Sequence, residues 1–245
     1  MVGDESRRLI LWDIDSTLVR AGPLGRVLYA SAFERVTGRP MRLQAPTHGR
    51  LDPDIFRDTL VANDLDPAAH PFSAFAWALA AAYAAGAERL RREGAALTGA
   101  ASALEALAGE PLTVQTVLTG NVRPVARVKL AAFGLERHLE LDIGAYGADA
   151  AARAGLVHVA WARAAARHRA AFDATTTVLV GDSVHDVAAG REAGVRVVAV
   201  ATGRDGRDEL SAAGAGVVLD DLGDTPAVLR AIRAGAYNAD SVLGQ

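Results

Sequence analysis

Residues 9–18, LILWDIDSTL, constrain this chain more than any other stretch. Residues 9–12 are all apolar and read as a fully buried strand. The strand runs into Asp13, with Asp15 two positions on and Ser16 and Thr17 behind. In an open α/β sheet, ligands bind at the carboxyl ends of the strands. One acid there caps a turn or a helix. Two acids at i and i+2, with hydroxyls behind, point instead to a bound cation.

Beyond this strand the pattern is helical for a long way. Residues 24–36 carry apolar side chains at helical spacing (Leu24, Val27, Leu28, Ala32, Phe33, Val36), and Gly38 and Pro40 stop the run. Asp52 as N-cap and Pro53 at the first position start a second helix over 53–61. Pro71 starts a third, long helix that ends in ERLRREG, and a fourth covers about 100–107. No strand is expected between the first one and Pro111, far more chain than a crossover needs. Residues 20–95 therefore read as an inserted α-helical cap able to lie over the strand ends.

From Pro111 strands and helices alternate. Strands are expected at 112–118, 139–143, 177–180, 195–200 and 217–219, with helices between them and a last helix at 226–233. The alternation predicts an α/β fold, a Rossmann-like doubly wound parallel sheet with helices on both faces. Its catalytic core would comprise residues 1–19 and 96–235, and 236–245 would form a loose tail. Trp12, Trp77 and Trp161 read as core.

Three strands end in polar clusters: DIDST, TGN and GDSVHD. A parallel sheet puts all three on one edge, where they can converge. They supply Asp13, Asp15, Asp182 and Asp186 and a Thr119-Gly120-Asn121 turn at a helix start. The sequence has no cysteine, and carboxylates without sulfur suit a hard cation such as Mg²⁺. Backbone N–H groups at a helix start suit a phosphate. Together these groups describe phosphoryl transfer. A net charge of −3 gives no reason to expect nucleic acid or an acidic membrane as partner. The charged opening MVGDESRR does not read as a signal peptide. The Ala-rich run 72–87 falls short of the ~20 apolar residues a membrane span needs. A cytoplasmic protein is expected, a monomer or homodimer.

In these residues the chain resembles the haloacid dehalogenase (HAD) superfamily of aspartate-nucleophile phosphatases. Asp13-Ile14-Asp15-Ser16-Thr17 matches its first motif, D-x-D-x-T. Thr119-Gly120-Asn121 matches the second, and Gly181-Asp182-Ser183-Val184-His185-Asp186 the fourth, G-D-x-x-x-D. The helical insert after the first motif is similar to the type 1 cap of phosphoglycolate phosphatase-like members. The resemblance implies that Asp13 attacks phosphorus and forms an aspartyl-phosphate, and that Asp15 is the general acid and base. It implies Mg²⁺ between the Asp13 carboxylate, the Asp15 backbone carbonyl, Asp182 and Asp186, the last acting directly or through water. Thr119, Gly120 and Asn121 would bind the phosphoryl group.

The third motif departs from the family pattern, which places a lysine before the helix preceding motif four. Arg153 occupies that slot and can fork to two phosphate oxygens. Lys129 is the rival: it is the only lysine in a chain otherwise supplied with arginine, eight residues past Asn121. As a bland alternative it is an ordinary surface or salt-bridging side chain. Arg20, His48 and Arg50 are the candidate substrate contacts, the last two able to meet a carboxylate or a second phosphate. His185, His158 and His168 read as exposed or packing residues.

The expected function is Mg²⁺-dependent hydrolysis of a small-molecule phosphate ester. A phosphosugar mutase of the same superfamily, or a catalytically silent binding protein on this fold, is the alternative. A haloacid dehalogenase proper has no need of Asp15 or a metal, and a phosphonatase needs a cap lysine that residues 20–95 lack.

Overall fold

The computed structural model describes residues 7–234, so the tail expected at 236–245 lies outside the described residues. Strand β1 (Arg8–Trp12) is followed by the short β2 (Val19–Arg20) and four helices, α1 (Leu24–Thr37), α2 (Asp52–Ala62), α3 (Phe72–Ala85) and α4 (Ala87–Glu93). A second short strand, β3 (Ala95–Ala96), and α5 (Ala100–Ala108) lead into β4 (Thr113–Val117) and α6 (Arg123–Ala131). The chain then runs through α7 (Arg153–His168), β5 (Thr177–Gly181), α8 (Val184–Glu192), β6 (Arg196–Val200), α9 (Arg207–Ala212), β7 (Val217–Leu219) and α10 (Thr225–Arg233).

Five strands form one parallel sheet in the order β4-β1-β5-β6-β7. β1 sits inside it, its Trp12 beside Val117 of β4 and Val180 of β5. Side chains alternate across a strand, so each face needs its own cover. Ile10 and Trp12 pack with Leu104 of α5, Leu130 of α6 and Ile232 of α10. Leu9 and Leu11 pack on the other face with Leu156 of α7, Val187 of α8 and Leu210 of α9. Both faces of β1 are thus buried, which is why it reads as an unbroken apolar run. This is the doubly wound parallel α/β sheet expected from the alternation.

Helices α1 to α4 build a third apolar cluster, with Phe33, Phe56, Phe75 and Leu79 at its centre. Val122, Val125 and Ala132, at the start of α6 and just past its end, belong to the same cluster, so the helical block is seated on α6.

Several expectations fail, each for a local reason. The stretch before Pro111 does contain strands: β2 and β3 pair antiparallel, Val19 with Ala96 and Arg20 with Ala95. Two residues each are too few to show a period. The third helix is two helices, broken at Gly86, where an added Cβ would lie 2.9 Å from a methyl group of Leu28. Residues 139–143 form a turn, not a strand. Glu140 N–H donates to Gln115 and Ala145 N–H to Val117, so the segment meets the β4 edge at two separated points. Asp52 is the first residue of α2 rather than its N-cap, and Leu51 takes the cap position. Trp77 is 65% exposed, its ring 5.2 Å from the Arg35 guanidinium carbon, while Trp12 is fully buried. Leu11 packs from the middle of the sheet with no exposed surface. Leu11→Ala is expected to cost ~3 kcal/mol of unfolding free energy, measured by urea denaturation; a loss under ~1 kcal/mol would contradict this packing.

Candidate active site

The carboxyl ends of β1, β4 and β5 meet at one edge of the sheet, and their polar residues converge on a cavity of about 480 Å³. Asp13, Asp15, Thr119, Gly120, Asn121, Lys129, Arg153 and Asp182 line it on the sheet side. Arg20, His48 and Arg50 line it from β2 and from the segment before α2. Asp186 is fully buried behind the floor.

At the floor, carboxylate oxygens of Asp13, Asp182 and Asp186 all lie within 4.8 Å of one another. Burial pushes the Asp13 carboxyl up to about 7, against the pull of Arg153, with Asp186 and Asp15 adding to the rise. Burial likewise pushes Asp182 up to about 9, helped by Asp13 and Asp186 and opposed by the Thr17 hydroxyl. Such crowding is relieved by proton uptake or by cationic compensation. Arg153, the first residue of α7, supplies part of it. Its Nη2 lies 3.0 Å from Asp13 Oδ1 and 2.5 Å from Asp186 Oδ1, and its Nε donates to the same Asp186 oxygen at 2.9 Å. Burial alone would lower this guanidinium, but Asp186 and Asp13 raise it above its ordinary value.

The acids differ in what remains open on them. Asp186 Oδ1 is taken by Arg153, and Oδ2 accepts from the Ser183 hydroxyl at 2.6 Å and the Ser183 N–H at 3.2 Å. Asp182 Oδ1 accepts from Thr17 at 3.1 Å, but its Oδ2 is buried with no hydrogen-bond partner. Three carboxylates around one orphaned buried oxygen form a donor set that fits a hard divalent cation.

Asp15 belongs to a second network. Lys129 Nζ donates to both its oxygens at 2.7 Å, and Asn121 Nδ2 donates to Oδ2 at 2.7 Å. Lys129 also reaches Asn121 Oδ1 at 2.7 Å and lies 5.3 Å from the centre of the Tyr83 ring. It is buried, not a surface lysine. Burial alone would lower its ammonium, yet Asp15 and then Tyr83 raise it above the ordinary value. Thr119 Oγ1 accepts from the Asn121 amide at 2.8 Å and its N–H at 3.3 Å, so the Thr119 hydrogen is free to donate elsewhere.

The helical block touches this edge closely. Asp52 Oδ2 accepts the Val122 N–H at 2.8 Å, just ahead of α6, and Asp52 N–H donates to the Gly120 carbonyl at 2.9 Å. Burial pushes Asp52 up to about 6, less than it would without that Val122 bond and Lys129. An added Cβ on Gly120 would lie 2.0 Å from the Arg50 carbonyl, so only glycine permits this approach. Arg50 itself is paired with Asp58 at 2.5 Å. His48 Nε2 lies 2.9 Å from Asp205 and its Nδ1 3.9 Å from the orphaned Asp182 oxygen. His185 is exposed and packs beside Gly49; His158 is exposed beside Trp161, and His168 pairs with Glu140.

Sequence reading passed over Asp205, Arg204, Arg26 and Tyr83. Arg204 and Asp205 could have been found by the strand-end rule, since they follow β6 and its carboxyl end shares this edge. Arg26 and Tyr83 carry no local signal; only packing of α1 and α3 brings them to the cavity.

A model for haloacid dehalogenase-like hydrolases matches residues 10–191. Over 145 residues the chain is 30% identical to the "Probable phosphatase IndB" of Dickeya dadantii (strain 3937), covering 57% of this chain and 58% of that protein. The chain thus spans under two thirds of the relative's length. Among solved structures, CbbY from Rhodobacter sphaeroides in complex with phosphate aligns with TM-score 0.64 at 20% identity, over 89% of this chain and 96% of that one. A predicted phosphoglycolate phosphatase from Haemophilus somnus aligns with TM-score 0.61 at 20% identity, over 93% and 100%. At these identities the structures share a fold with this chain.

Asp13, Asp52 and Asp182 all bind protons more tightly in the folded state than an ordinary carboxyl near 3.8. Their contribution is full below pH ~4 and is lost as pH rises toward 9, where the unfolded chain ionises more readily. With EDTA present, the thermal midpoint is expected to fall between pH 5 and pH 9 in a fluorimetric melt. A flat or rising midpoint would overturn the charge assignment. Asp15→Asn would leave Lys129, 5% exposed, without its counter-charge. A loss of ~3 kcal/mol in urea unfolding is expected, and no loss would mean that Lys129 has another partner.

Proposed function

The chain belongs to the haloacid dehalogenase-like hydrolases, and on that premise we propose that it is a Mg²⁺-dependent phosphatase, hydrolysing a small-molecule phosphomonoester through an aspartyl-phosphate on Asp13. The observation that carries this reading is the division of labour between Asp13 and Asp15. Asp13 is buried on Arg153 within the carboxylate triad, while the Asp15 side chain is 46% exposed to the cavity and oriented by Lys129 and Asn121. Two acids two residues apart with such different surroundings suit two different roles.

Asp13, Asp182 and the Asp15 carbonyl would hold Mg²⁺, with Asp186 acting through water because both its oxygens are engaged; the ion neutralises charge between an anionic nucleophile and an anionic ester. The remaining work falls to the chain. An Asp13 oxygen attacks phosphorus and the ester P–O bond breaks. Asp15 gives its proton to the leaving oxygen. Arg153 neutralises charge on the transferring group, and the Thr119 hydroxyl and the backbone at Gly120 and Asn121 bind its oxygens. Asp15 then takes a proton from water as that water attacks phosphorus, the Asp13–phosphorus bond breaks, and phosphate leaves. Lys129 holds Asp15 in place through both steps. Residues 20–95 serve as the cap that excludes bulk water. The phosphatase-named relative and structural neighbour support this reading.

The test is turnover of p-nitrophenyl phosphate and a phosphate-ester panel by wild type and Asp13→Asn, each with Mg²⁺ and with EDTA. Turnover that needs Mg²⁺ and falls at least ~10³-fold in Asp13→Asn is expected. Undiminished activity in either the variant or EDTA would overturn the mechanism. Absence of turnover by wild type on every ester would favour a mutase or a silent binding protein.

A further inference from the structure

We propose that the substrate carries a second anionic group, carboxylate or phosphate, besides the transferred phosphoryl group, and that Arg20, Arg26 and Arg204 hold it. This rests on the phosphatase reading and names the substrate class of the same cavity.

Acids and arginines both line the cavity. Every acid that lines it, Asp13, Asp15, Asp52 and Asp182, belongs to the sheet edge or its immediate contacts. The cations at that edge are already engaged: Arg153 with Asp13 and Asp186, Lys129 with Asp15, Arg50 with Asp58. Arg20, Arg26 and Arg204 line the same cavity and are exposed. The other arginines that line the cavity, Arg50 and Arg153, sit in ion pairs; among the described residues these three form none. Arg20 has only the Thr202 carbonyl, 3.5 Å away.

The three come from separate parts of the chain: β2, the first turn of α1, and the loop after β6. The N-terminus of α1 opens at the same place, with no side-chain cap and no acid in its first turn. Its unpaired N–H groups add positive potential where the arginines already supply it. A single phosphoryl group is served at the floor by Arg153, Thr119 and the start of α6. A cavity of about 480 Å³ has room for a sizeable leaving group beyond that. Three forked guanidinium groups on its wall match a carboxylate or a phosphate in geometry as well as charge.

The rival explanation is unspecific steering, in which the same arginines attract every phosphate ester alike. Matched esters separate the two. 6-Phosphogluconate and glucose 6-phosphate have equal carbon chains and differ in a terminal carboxylate. Fructose 1,6-bisphosphate and fructose 6-phosphate differ in a second phosphate. kcat/KM is measured for all four with wild type and with the Arg20→Ala/Arg26→Ala/Arg204→Ala variant, in Mg²⁺. For one pair or both, wild type is expected to favour the doubly anionic ester at least about tenfold, and the variant to lose most of that ratio. The pair that responds tells carboxylate from phosphate. A wild-type ratio near one in both pairs, or a ratio the variant retains, overturns the proposal. Should wild type turn over none of the four, isothermal titration calorimetry reads the same ratios as binding constants. A preference lost in the variant then sustains the arginine site while the phosphatase reading fails, and equal binding overturns that site as well.

Discussion

Three buried carboxylates cannot share 4.8 Å of protein interior without compensation, and most of the site follows from meeting that demand. Arg153 meets part of it by forking across Asp13 and Asp186. To do so it must stand at the first turn of α7, on the helix whose apolar side covers Leu9 and Leu11. The sheet, by bringing β1 and β5 side by side in parallel, makes the crowding; the helix packed on the sheet relieves it. Asp182 remains the incompletely served member, with an oxygen that no protein donor reaches. That unserved oxygen leaves the edge with a donor set that fits a cation.

The two buried cations are not interchangeable. Arg153 reaches two acids at once through a planar fork. Lys129 offers a compact ammonium that sits between two Asp15 oxygens, the Asn121 side-chain Oδ1 and the face of Tyr83. A planar guanidinium would not present one compact charge to all of these groups, and a lysine at 153 could not fork. The contrast gives a physical reason for one lysine in a chain otherwise supplied with arginine.

Much of the sheet and its edge was legible because it rests on patterns a sequence displays. Buried parallel strands are continuous apolar runs, and the polar residues that end them stand out, as Asp13, Thr119 and Asp182 do. Elements set by packing were not legible. β2 and β3 are two residues each and exist because two chain segments cross beside each other. The break at Gly86 depends on Leu28, far away in sequence. Asp52 beside Pro53 has the local look of an N-cap, yet its carboxylate is spent on Val122, 70 residues on. Trp77 looks like core in an alanine-rich helix but takes the outer face, since Phe75, Ala78, Leu79 and Tyr83 fill the inner one. Lys129 could be located in sequence but not paired, because its partners come from the turn after β1, α3 and the turn after β4.

The Asp52 bond also ties the helical block to the chemistry. Its carboxylate satisfies an N–H just ahead of α6, the helix that carries Lys129, and its own N–H satisfies the Gly120 carbonyl. Gly147 approaches that same carbonyl so closely that a Cβ there would lie 1.9 Å away. Three backbone segments, from the helical block, the β4 turn and the loop before α7, therefore stack with no side chain between them. Moving the block away would expose an unpaired N–H and an unpaired C=O at the turn that faces the cavity, groups that are costly to leave without partners. The block and the turn are for that reason one mechanical unit in this conformation. Any motion that lifts the block off the turn must either break those two bonds or hand them to water.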